Sequence, residues 1–266
     1  MSKSWYTFTE EDLAQVRTNT PIQRIEYFPE LKSTNDRALE LANSAPQPCP
    51  LLVLAQHQTE GRGRATNRWW SLPGTLTFSV LFDVHDYKLS PRDFPQISLA
   101  TALALQAGMQ DTQPACHPKL KWPNDIFLSG RKVAGLLLEP VASNSGLLVV
   151  GAGINVNSCM EDAPPLLRDQ ATSIFDTTQS RSNLSTLLVN SINHMVAHYH
   201  QLANKQWSIS RRWQPDCLLE GHTVTLQIGQ QQVRGLCRGV NEQGALLIEN
   251  ESGLQEFYAG SVLVSE

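Results

Sequence analysis

The sequence predicts an α+β protein with a mainly antiparallel sheet, followed by a small all-β barrel. Of the 266 residues, 41% are hydrophobic and 17% are charged, as in globular rather than disordered chains. Helix-like and strand-like segments are mixed without a regular strand–helix–strand order, which favours antiparallel pairing. After Trp213-Gln214-Pro215 only short strand-like segments remain, separated by turns that contain glycine.

These observations predict two unequal domains, residues 1–214 and residues 215–266. About fifty residues is near the lower limit for an independent core, so we expect the smaller domain to pack on the larger one. Lys and Arg number 21 against 25 Asp and Glu, a net charge of -4 that argues against non-specific DNA or RNA binding. No apolar signal segment or membrane span is apparent, which predicts a cytoplasmic protein with no membrane partner.

Capping residues and apolar periodicity predict four helices. Thr9 is a suitable N-cap for a helix through Val16, and the segment Ser33-Thr34-Asn35-Asp36 caps a second helix. The other two are expected over 95–108 and 183–199. Strands of the large domain are expected over 22–28, 51–55, 75–82, 119–128, 133–139 and 147–151, with a hairpin turn at Ser129-Gly130. Those of the barrel are expected over 222–228, 231–240, 245–249, 254–258 and 261–264.

The cysteines and histidines do not predict a metal site or a disulfide framework. The five cysteines have irregular spacing and no C-x-x-C pair, so we interpret them as reduced, mostly buried thiols. His194, His198 and His200 lie on one predicted helix. Because the sequence places no carboxylate or cysteine with them, a metal site is not favoured.

Residues 61–73 form a long loop without periodicity, and loops of this length are usually functional. Its start, Gly61-Arg62-Gly63-Arg64, combines flexible backbone with two guanidinium groups that suit a phosphate or carboxylate, although a solvated turn is the alternative. Thr66 occupies the third position of a dinucleotide fingerprint, and no phosphate-loop motif occurs. The adjacent Trp69 and Trp70 either stack on a base or belong to the core.

Three further segments carry polar groups suited to anion chemistry. Lys121-Trp122-Pro123-Asn124-Asp125 places a proline inside a predicted strand, which indicates a bulge or an edge. Lys132 precedes Gly135, where a ligand can approach closely, and Gly151-Ala152-Gly153-Ile154-Asn155 follows an apolar strand. Each is a weak signal alone. No nucleophile elbow is present, so the set favours electrostatic chemistry on phosphate, as in nucleotidyl transfer.

In this order and spacing, the four segments that begin at Ser33, Gly61, Lys121 and Gly151 closely resemble those of biotin protein ligases, from about residue 25 to 264. The resemblance implies a class II aminoacyl-tRNA-synthetase-like catalytic domain, shared with lipoate ligases, and an SH3-like terminal domain. It also implies activation of biotin by MgATP to biotinyl-5'-AMP. The biotin is then transferred to a lysine of a biotin carboxyl carrier protein.

The same resemblance implies roles for individual residues. Lys132, Arg62 and Arg64 would be catalytic, and Asp125 would be associated with Mg²⁺. The implied biotin contacts are Ser33, Thr34, Asn35, Gln58, Gly61, Arg62, Gly63, Arg64, Lys132 and Gly135. The implied nucleotide contacts are Arg64, Trp69, Asn124, Lys132 and Asn155.

Two departures from the family pattern and two alternatives remain. The family loop commonly ends in glycine where this chain has Thr66, which puts the loop's dynamics in question. Only 32 residues precede Ser33, so no DNA-binding winged helix and no DNA partner are expected, while a homodimer through the sheet edge stays open.

The alternatives are a lipoate or octanoyl transferase of the same superfamily and a non-catalytic biotin or nucleotide sensor. The absence of an R-R-x-G-G-G segment argues against the first alternative. The retained Arg62, Arg64, Asp125 and Lys132 argue against the second.

Overall fold

A computed structural model describes residues 7–264. Residues 1–6 of the predicted first domain and residues 265–266 of the predicted second domain lie outside the described residues. Within that range, the helices are α1 Glu10–Asn19, α2 Thr34–Ser44, α3 Phe94–Thr112, α4 Pro165–Arg168, α5 Ile174–Thr178, α6 Leu184–Ala203 and α7 Ile209–Trp213. Thr9 caps α1 and Ser33 caps α2 through their side chains, as the sequence predicts.

The large domain is built on a seven-stranded sheet in the order β1-β2-β3-β7-β6-β5-β4. Its strands are β1 Arg24–Leu31, β2 Leu51–Gln58, β3 Thr75–Asp83, β4 Lys119–Lys121, β5 Asp125–Leu128, β6 Arg131–Pro140 and β7 Leu147–Asn155. Only the β1–β2 pair is parallel, so the expectation of a mainly antiparallel sheet is confirmed.

Helices cover both faces of this sheet. Along β2, Leu52 and Leu54 belong to the main core with α1, α3 and α6, whereas Leu51 and Val53 pack with Ala38 of α2. This alternation follows from the two-residue period of a strand that is buried on both faces. The α2 face matters most for function, because it also contains the glycines of β6 and β7 described below.

The C-terminal domain is a five-stranded antiparallel sheet in the order β11-β10-β9-β8-β12. Its strands are β8 Thr223–Ile228, β9 Gln231–Val240, β10 Leu246–Asn250, β11 Gly253–Phe257 and β12 Ser261–Val264. Val224, Leu226 and Ile248 belong to the same hydrophobic cluster as the core of the large domain. The indole of Trp122 donates a hydrogen bond to the carbonyl of Gly244, 3.1 Å away. The small domain therefore packs on the large one, as its size predicts.

Two sequence predictions about the strands were wrong. Residues 119–128 are two antiparallel strands rather than one, because the chain reverses at Trp122-Pro123-Asn124, where the Trp122-Pro123 peptide is cis. The strand predicted over 147–151 continues to Asn155, so Gly151 and Gly153 lie inside β7 rather than in a loop after it. Glycine has a low preference for strands. These glycines are nevertheless in a strand because β7 is hydrogen-bonded to β3 on one side and to β6 on the other.

Candidate active site

Two adjoining cavities lie on the α2 face of the large sheet, under the 61–73 loop. The first has a volume of about 220 Å³. It is lined by the start of α2, the end of β2, the loop and the Lys121–Asp125 reversal, and β12 of the small domain closes one side. The second, of about 500 Å³, is lined by apolar residues that include Leu72, Met160 and Leu167. Residues lining both cavities are Asn67, Arg68, Trp69, Asp125 and Lys132.

Lys132 and Asp125 form an ion pair at this junction. Lys132 Nζ lies 2.5 Å from Asp125 Oδ1, and both side chains are partly exposed. Lys121 lies beside them, with its ammonium 5.5 Å from the centre of the Phe127 ring. Burial lowers the pKa of Lys121, Asp125 opposes this and Lys132 adds to it. Lys121, Lys132 and Asp125 together carry two positive charges and one negative charge, a net positive group that suits an anion.

Alternate glycines of β6 and β7 line the first cavity. Gly135 of β6 pairs with Gly153 of β7, and Gly151 lies two residues away on the same face. A β-carbon on Gly153 would overlap the indole of Trp69, and one on Gly151 would overlap the amide of Asn35. One on Gly135 would lie 3.2 Å from Lys132 Nζ. The missing side chains therefore make room for three residues that line the first cavity.

Residues 61–73 contain no helix or strand, as predicted, but residues 62–68 form a small hairpin turn within this loop. Arg62 and Arg68 form a bridge, and the amide of Gly63 donates to the carbonyl of Asn67. Arg62 is bonded to Glu139 and Asp36, two carboxylates of the protein itself. Arg64 Nη1 lies 3.4 Å from Asn124 Oδ1 and 3.3 Å from the carbonyl of Gly260 in the small domain. Burial lowers the pKa of Arg64, and Asp125 partly offsets this.

The expected biotin contacts at the start of α2 form one buried hydrogen-bond network. Gln58 Oε1 accepts from the amide of Thr34 at 2.7 Å, and Ser79 Oγ lies 2.7 Å from Thr34 Oγ1 and 2.6 Å from Asn35 Oδ1. Ser33, Thr34, Asn35 and Gln58 all line the first cavity. Asn35 donates to Glu139 and to a backbone carbonyl, so its amide is used within the protein.

The two expected asparagines are also used by the fold. Asn124 donates to the carbonyl of Leu136 and fixes the reversal against β6. Asn155 is buried, donates to the carbonyl of Thr172 at 3.0 Å and lines only the second cavity. Gly61 lies beneath Trp69, since its β-carbon would be 2.6 Å from the Trp69 carbonyl oxygen.

The histidines of α6 and the five cysteines lie outside this site. His194 Nε2 lies 2.7 Å from Asp111, so the expectation that no carboxylate accompanies the histidines was wrong. Even so, among residues 7–264 no cluster of three or more His, Cys, Asp or Glu side chains could hold a metal ion. All five cysteines are free thiols, and burial raises the pKa of Cys116 and Cys237 to about 12.

Sequence reasoning missed several residues of the site. Glu139 and Asp36 hold Arg62, Ser79 joins Thr34 to Asn35, and Lys121 lies near Lys132. Gln170 and Thr172 form backbone hydrogen bonds with Lys132, and Gln170 and Ala171 line the second cavity. For Lys121 the adjacent motif was a signal. Ser79 and residues 170–172 carry no local pattern, because only the sheet register and the chain path place them here.

The chain matches two protein-family models. Residues 27–156 match the model of the biotin/lipoate A/B protein ligase family, and residues 221–265 match the biotin protein ligase C-terminal domain. Together these segments cover about two thirds of the chain. Over the residues that the structure describes, no helix has the length and apolar character needed to cross a bilayer.

Individual relatives match over most of their length. The bifunctional ligase/repressor BirA of Bacillus subtilis is 29% identical over 251 residues, which are 93% of this chain and 76% of that protein. The biotin--[acetyl-CoA-carboxylase] ligase of Mycobacterium tuberculosis is 27% identical, with 82% of this chain and 80% of that one aligned. The solved structure of a biotin protein ligase from Aquifex aeolicus in complex with biotin and ATP superposes with a TM-score of 0.79. The two share 26% identity, over 92% of this chain and all of that one.

Proposed function

Because this chain belongs to the biotin/lipoate A/B protein ligase family and carries a biotin protein ligase C-terminal domain, we propose that its two cavities bind biotin and ATP side by side. The activity is that of a biotin protein ligase: ATP activates biotin as biotinyl-5'-AMP, and the biotin is transferred to a carboxylase. The single observation that carries the arrangement is the position of Lys132 at the junction of the two cavities.

The first cavity suits biotin and the second suits the nucleoside. The first has buried amide and hydroxyl groups at one end, near Gln58 and Thr34, and cationic groups at the other. The second is larger and mostly apolar, with Trp69 between them. A polar ring system at the Gln58 end would direct its carboxylate chain toward Lys132, where the α-phosphate would also lie.

In the first step, an oxygen of the biotin carboxylate attacks the α-phosphorus and pyrophosphate leaves. We propose that Lys132 offsets the negative charge that builds up on the phosphoryl oxygens, with Lys121 and Arg64 adding to the positive field. Glu139 and Asp36 neutralise the charge of Arg62. We therefore assign the contact with phosphate to Lys132, Lys121 and Arg64 instead of Arg62. Holding both reactants at one junction supplies most of the remaining rate gain.

In the second step, the amine of a carrier lysine attacks the acyl carbon of the mixed anhydride. An amide bond forms, AMP leaves, and no covalent bond to the enzyme is needed. The loop from Gly61 to Trp69 covers both cavities and would keep water away from the anhydride between the steps.

The residues present fit a magnesium ion held mainly by ATP. Mg²⁺ typically uses one or two carboxylates together with substrate phosphates, and Asp125 supplies one carboxylate at the junction. When bound, the ion would neutralise phosphate charge. Asp125 would be the residue that holds the ion, and in the structure its carboxylate pairs with Lys132.

The remaining parts of the proposal concern partners and location. We propose a biotin carboxyl carrier protein as acceptor, a cytoplasmic location and no DNA partner. A homodimer would pair two copies along β1, which is an eight-residue edge strand of the large sheet. Sedimentation velocity at two concentrations distinguishes dimer from monomer.

The function is tested by pyrophosphate release. MgATP is supplied with biotin, with lipoate or with octanoate, and a biotin carrier domain is then added and weighed by mass spectrometry. Biotin-dependent release followed by a gain of one biotin on the carrier supports the proposal. Release only with the fatty acids would assign the chain to the lipoate branch, and biotin binding without release would indicate a sensor.

A further inference from the structure

The guanidinium group of Arg62 joins the 61–73 loop to β6 and to α2 by charged contacts. Arg62 Nη1 lies 2.9 Å from Glu139 Oε1, and Arg62 Nη2 lies 2.6 Å from Glu139 Oε2. The same Nη2 lies 2.7 Å from Asp36 Oδ1. Bidentate pairing of this kind fixes orientation as well as position. The hydrogen bonds to Glu139 are the main cause of the raised pKa of Arg62.

Glu139 connects this fastening to the buried network of the first cavity. Its Oε2 accepts from Asn35 Nδ2 at 2.7 Å, and Asn35 is bonded through Ser79 to Thr34. Glu139 is the more buried of the two carboxylates, with 24% of its side chain exposed against 45% for Asp36. Asn35 therefore fixes the carboxylate of Glu139, and this carboxylate in turn binds Arg62 of the loop.

The fastened loop forms a wall of both cavities. Asn67, Arg68 and Trp69 lie on the arm of the hairpin that pairs with Gly61–Gly63, and they line each of the cavities. The amide of Trp69 donates to the carbonyl of Gly61, so the position of Trp69 depends on that of the loop's first residues. Movement of this wall would therefore open both cavities at the junction where an anhydride would form.

We propose that Glu139 is a positioning residue that retains the acyl-adenylate, by fastening Arg62 and so keeping the loop closed until the acceptor lysine arrives. This inference rests on the proposed function for its ligand, but not for the loop contact itself. Without Glu139, Arg62 keeps only the half-exposed Asp36, an ion pair of the kind that solvent weakens. Asp36 is expected to contribute less than Glu139.

The test uses E139Q, which keeps an oxygen for Asn35 but loses the bidentate charge. R62Q is the partner variant; Arg62 is a loop side chain with 37% exposure, so the fold does not depend on it. The matched control is E26Q. Glu26 pairs with Arg37 of α2 at 2.9 Å and lies away from the loop. Thermal unfolding of all variants accompanies the measurements.

Two readouts separate retention from general damage. Each enzyme is loaded with radiolabelled biotin and MgATP and then chased with unlabelled biotin, and the label is divided between carrier-bound biotin and adenylate released to solvent. We expect E139Q and R62Q to release adenylate about tenfold faster than wild type, as the loss of a charge-assisted pair implies. E26Q should behave as wild type, and the R62Q/E139Q double variant should be no worse than either single variant.

The second readout needs no ligand. Trypsin cleavage after the loop arginines, Arg64 and Arg68, should be about tenfold faster in E139Q and R62Q than in wild type or E26Q. Equal cleavage in wild type, E139Q and R62Q would overturn the inference, whatever the enzyme's activity. Equal adenylate release in all of them would also overturn it. Failure of the wild type to form any adenylate would instead overturn the proposed function, and the cleavage rates would still decide the role of Glu139.

Discussion

The indole of Trp69 occupies the space that a β-carbon on Gly153 would need. Gly153 lies in the middle of β7, and its neighbour in β6 is Gly135, whose β-carbon would lie 3.6 Å from the same ring. A loop residue thus rests on two glycines of adjacent strands. This contact explains why a well-paired strand contains glycines that weaken isolated strands.

The first prediction follows from this contact. Gly153→Ala should displace Trp69, cost about 1–3 kcal/mol of stability through overpacking, and slow adenylate formation on the order of a hundredfold because the loop wall is misplaced. Stopped-flow pyrophosphate release and urea unfolding measure the two effects. Adding Trp69→Phe to this variant should recover part of both losses, since the smaller ring leaves room for the methyl group. Full activity in the single variant would show that Trp69 does not need this position.

The second prediction concerns Lys132. Lys132→Ala should lower the rate of adenylate formation by about 10²–10³, the usual effect of removing one preorganised charge from a transition state. The fold should survive, because the side chain is partly exposed and its backbone bonds to residues 170–172 are unaffected. Lys119→Ala on the edge strand β4, where the lysine pairs with Asp216, is the matched control. Normal turnover by Lys132→Ala would remove the assigned role.

The architecture was predictable where local signals dominate. Capping by Thr9 and Ser33, the turn at Ser129-Gly130 and the alternating C-terminal strands all follow from short-range chemistry. At Trp122-Pro123 the sequence predicted a bulge or an edge within one strand; the chain instead reverses there, and the strand before it, β4, lies at the edge of the sheet. A proline signals an interruption of pairing without saying which way the chain leaves it.

The candidate site was only partly predictable. Its cationic and glycine-rich segments were recognised as a set, and the structure brings Ser33, Gln58, Lys132 and Trp69 to one cavity. The contacts of Arg62 were not foreseen. Glu139 and Asp36 are 77 and 26 positions away in sequence. Both carboxylates lie next to the loop only because α2 packs on β2, β3 and β7 and because β6 pairs with β7. A cationic motif predicts a contact with an anion, but it does not show whether that anion is a substrate or a carboxylate of the protein itself.

The third prediction concerns the departure of the loop from its family pattern. The residue in the left-handed region is Ala65, at φ 54°, and Thr66 is not among the residues of positive φ. Ala65→Gly should therefore relieve roughly 1 kcal/mol of backbone strain, offset in part by glycine's greater unfolded-state entropy. Thr66→Gly has no strain to relieve and should destabilise by about 0.5–1 kcal/mol. Urea unfolding compares the two; greater stability for Thr66→Gly would contradict the backbone assignment.

The fourth prediction concerns the joint between the domains. Glu242, in the turn before β10, accepts hydrogen bonds from Ser208 and from the amide of Ile209 at the start of α7. Partial burial would raise the pKa of Glu242, but the bonds from Ser208, Ser210 and Ile209 outweigh it and lower the pKa below 4.5. Because the folded-state pKa is depressed, the stabilisation is present above pH 4.5 and is lost as the pH falls through the folded value.

Glu242→Gln should therefore lower the free energy of unfolding by about 1 kcal/mol or less at neutral pH, a figure that allows for the exposure of this side chain. The difference from wild type should stay constant from neutral pH down to about 5 and shrink below 4.5, where the wild-type carboxylate takes up its proton. Glu249→Gln, which breaks an exposed pair with Arg238 in the same domain, is the control and should show little change. Urea unfolding at a series of pH values measures the effect. A difference that grew toward low pH would mean that Glu242 is stabilised in its protonated form, contrary to the hydrogen bonds that it accepts.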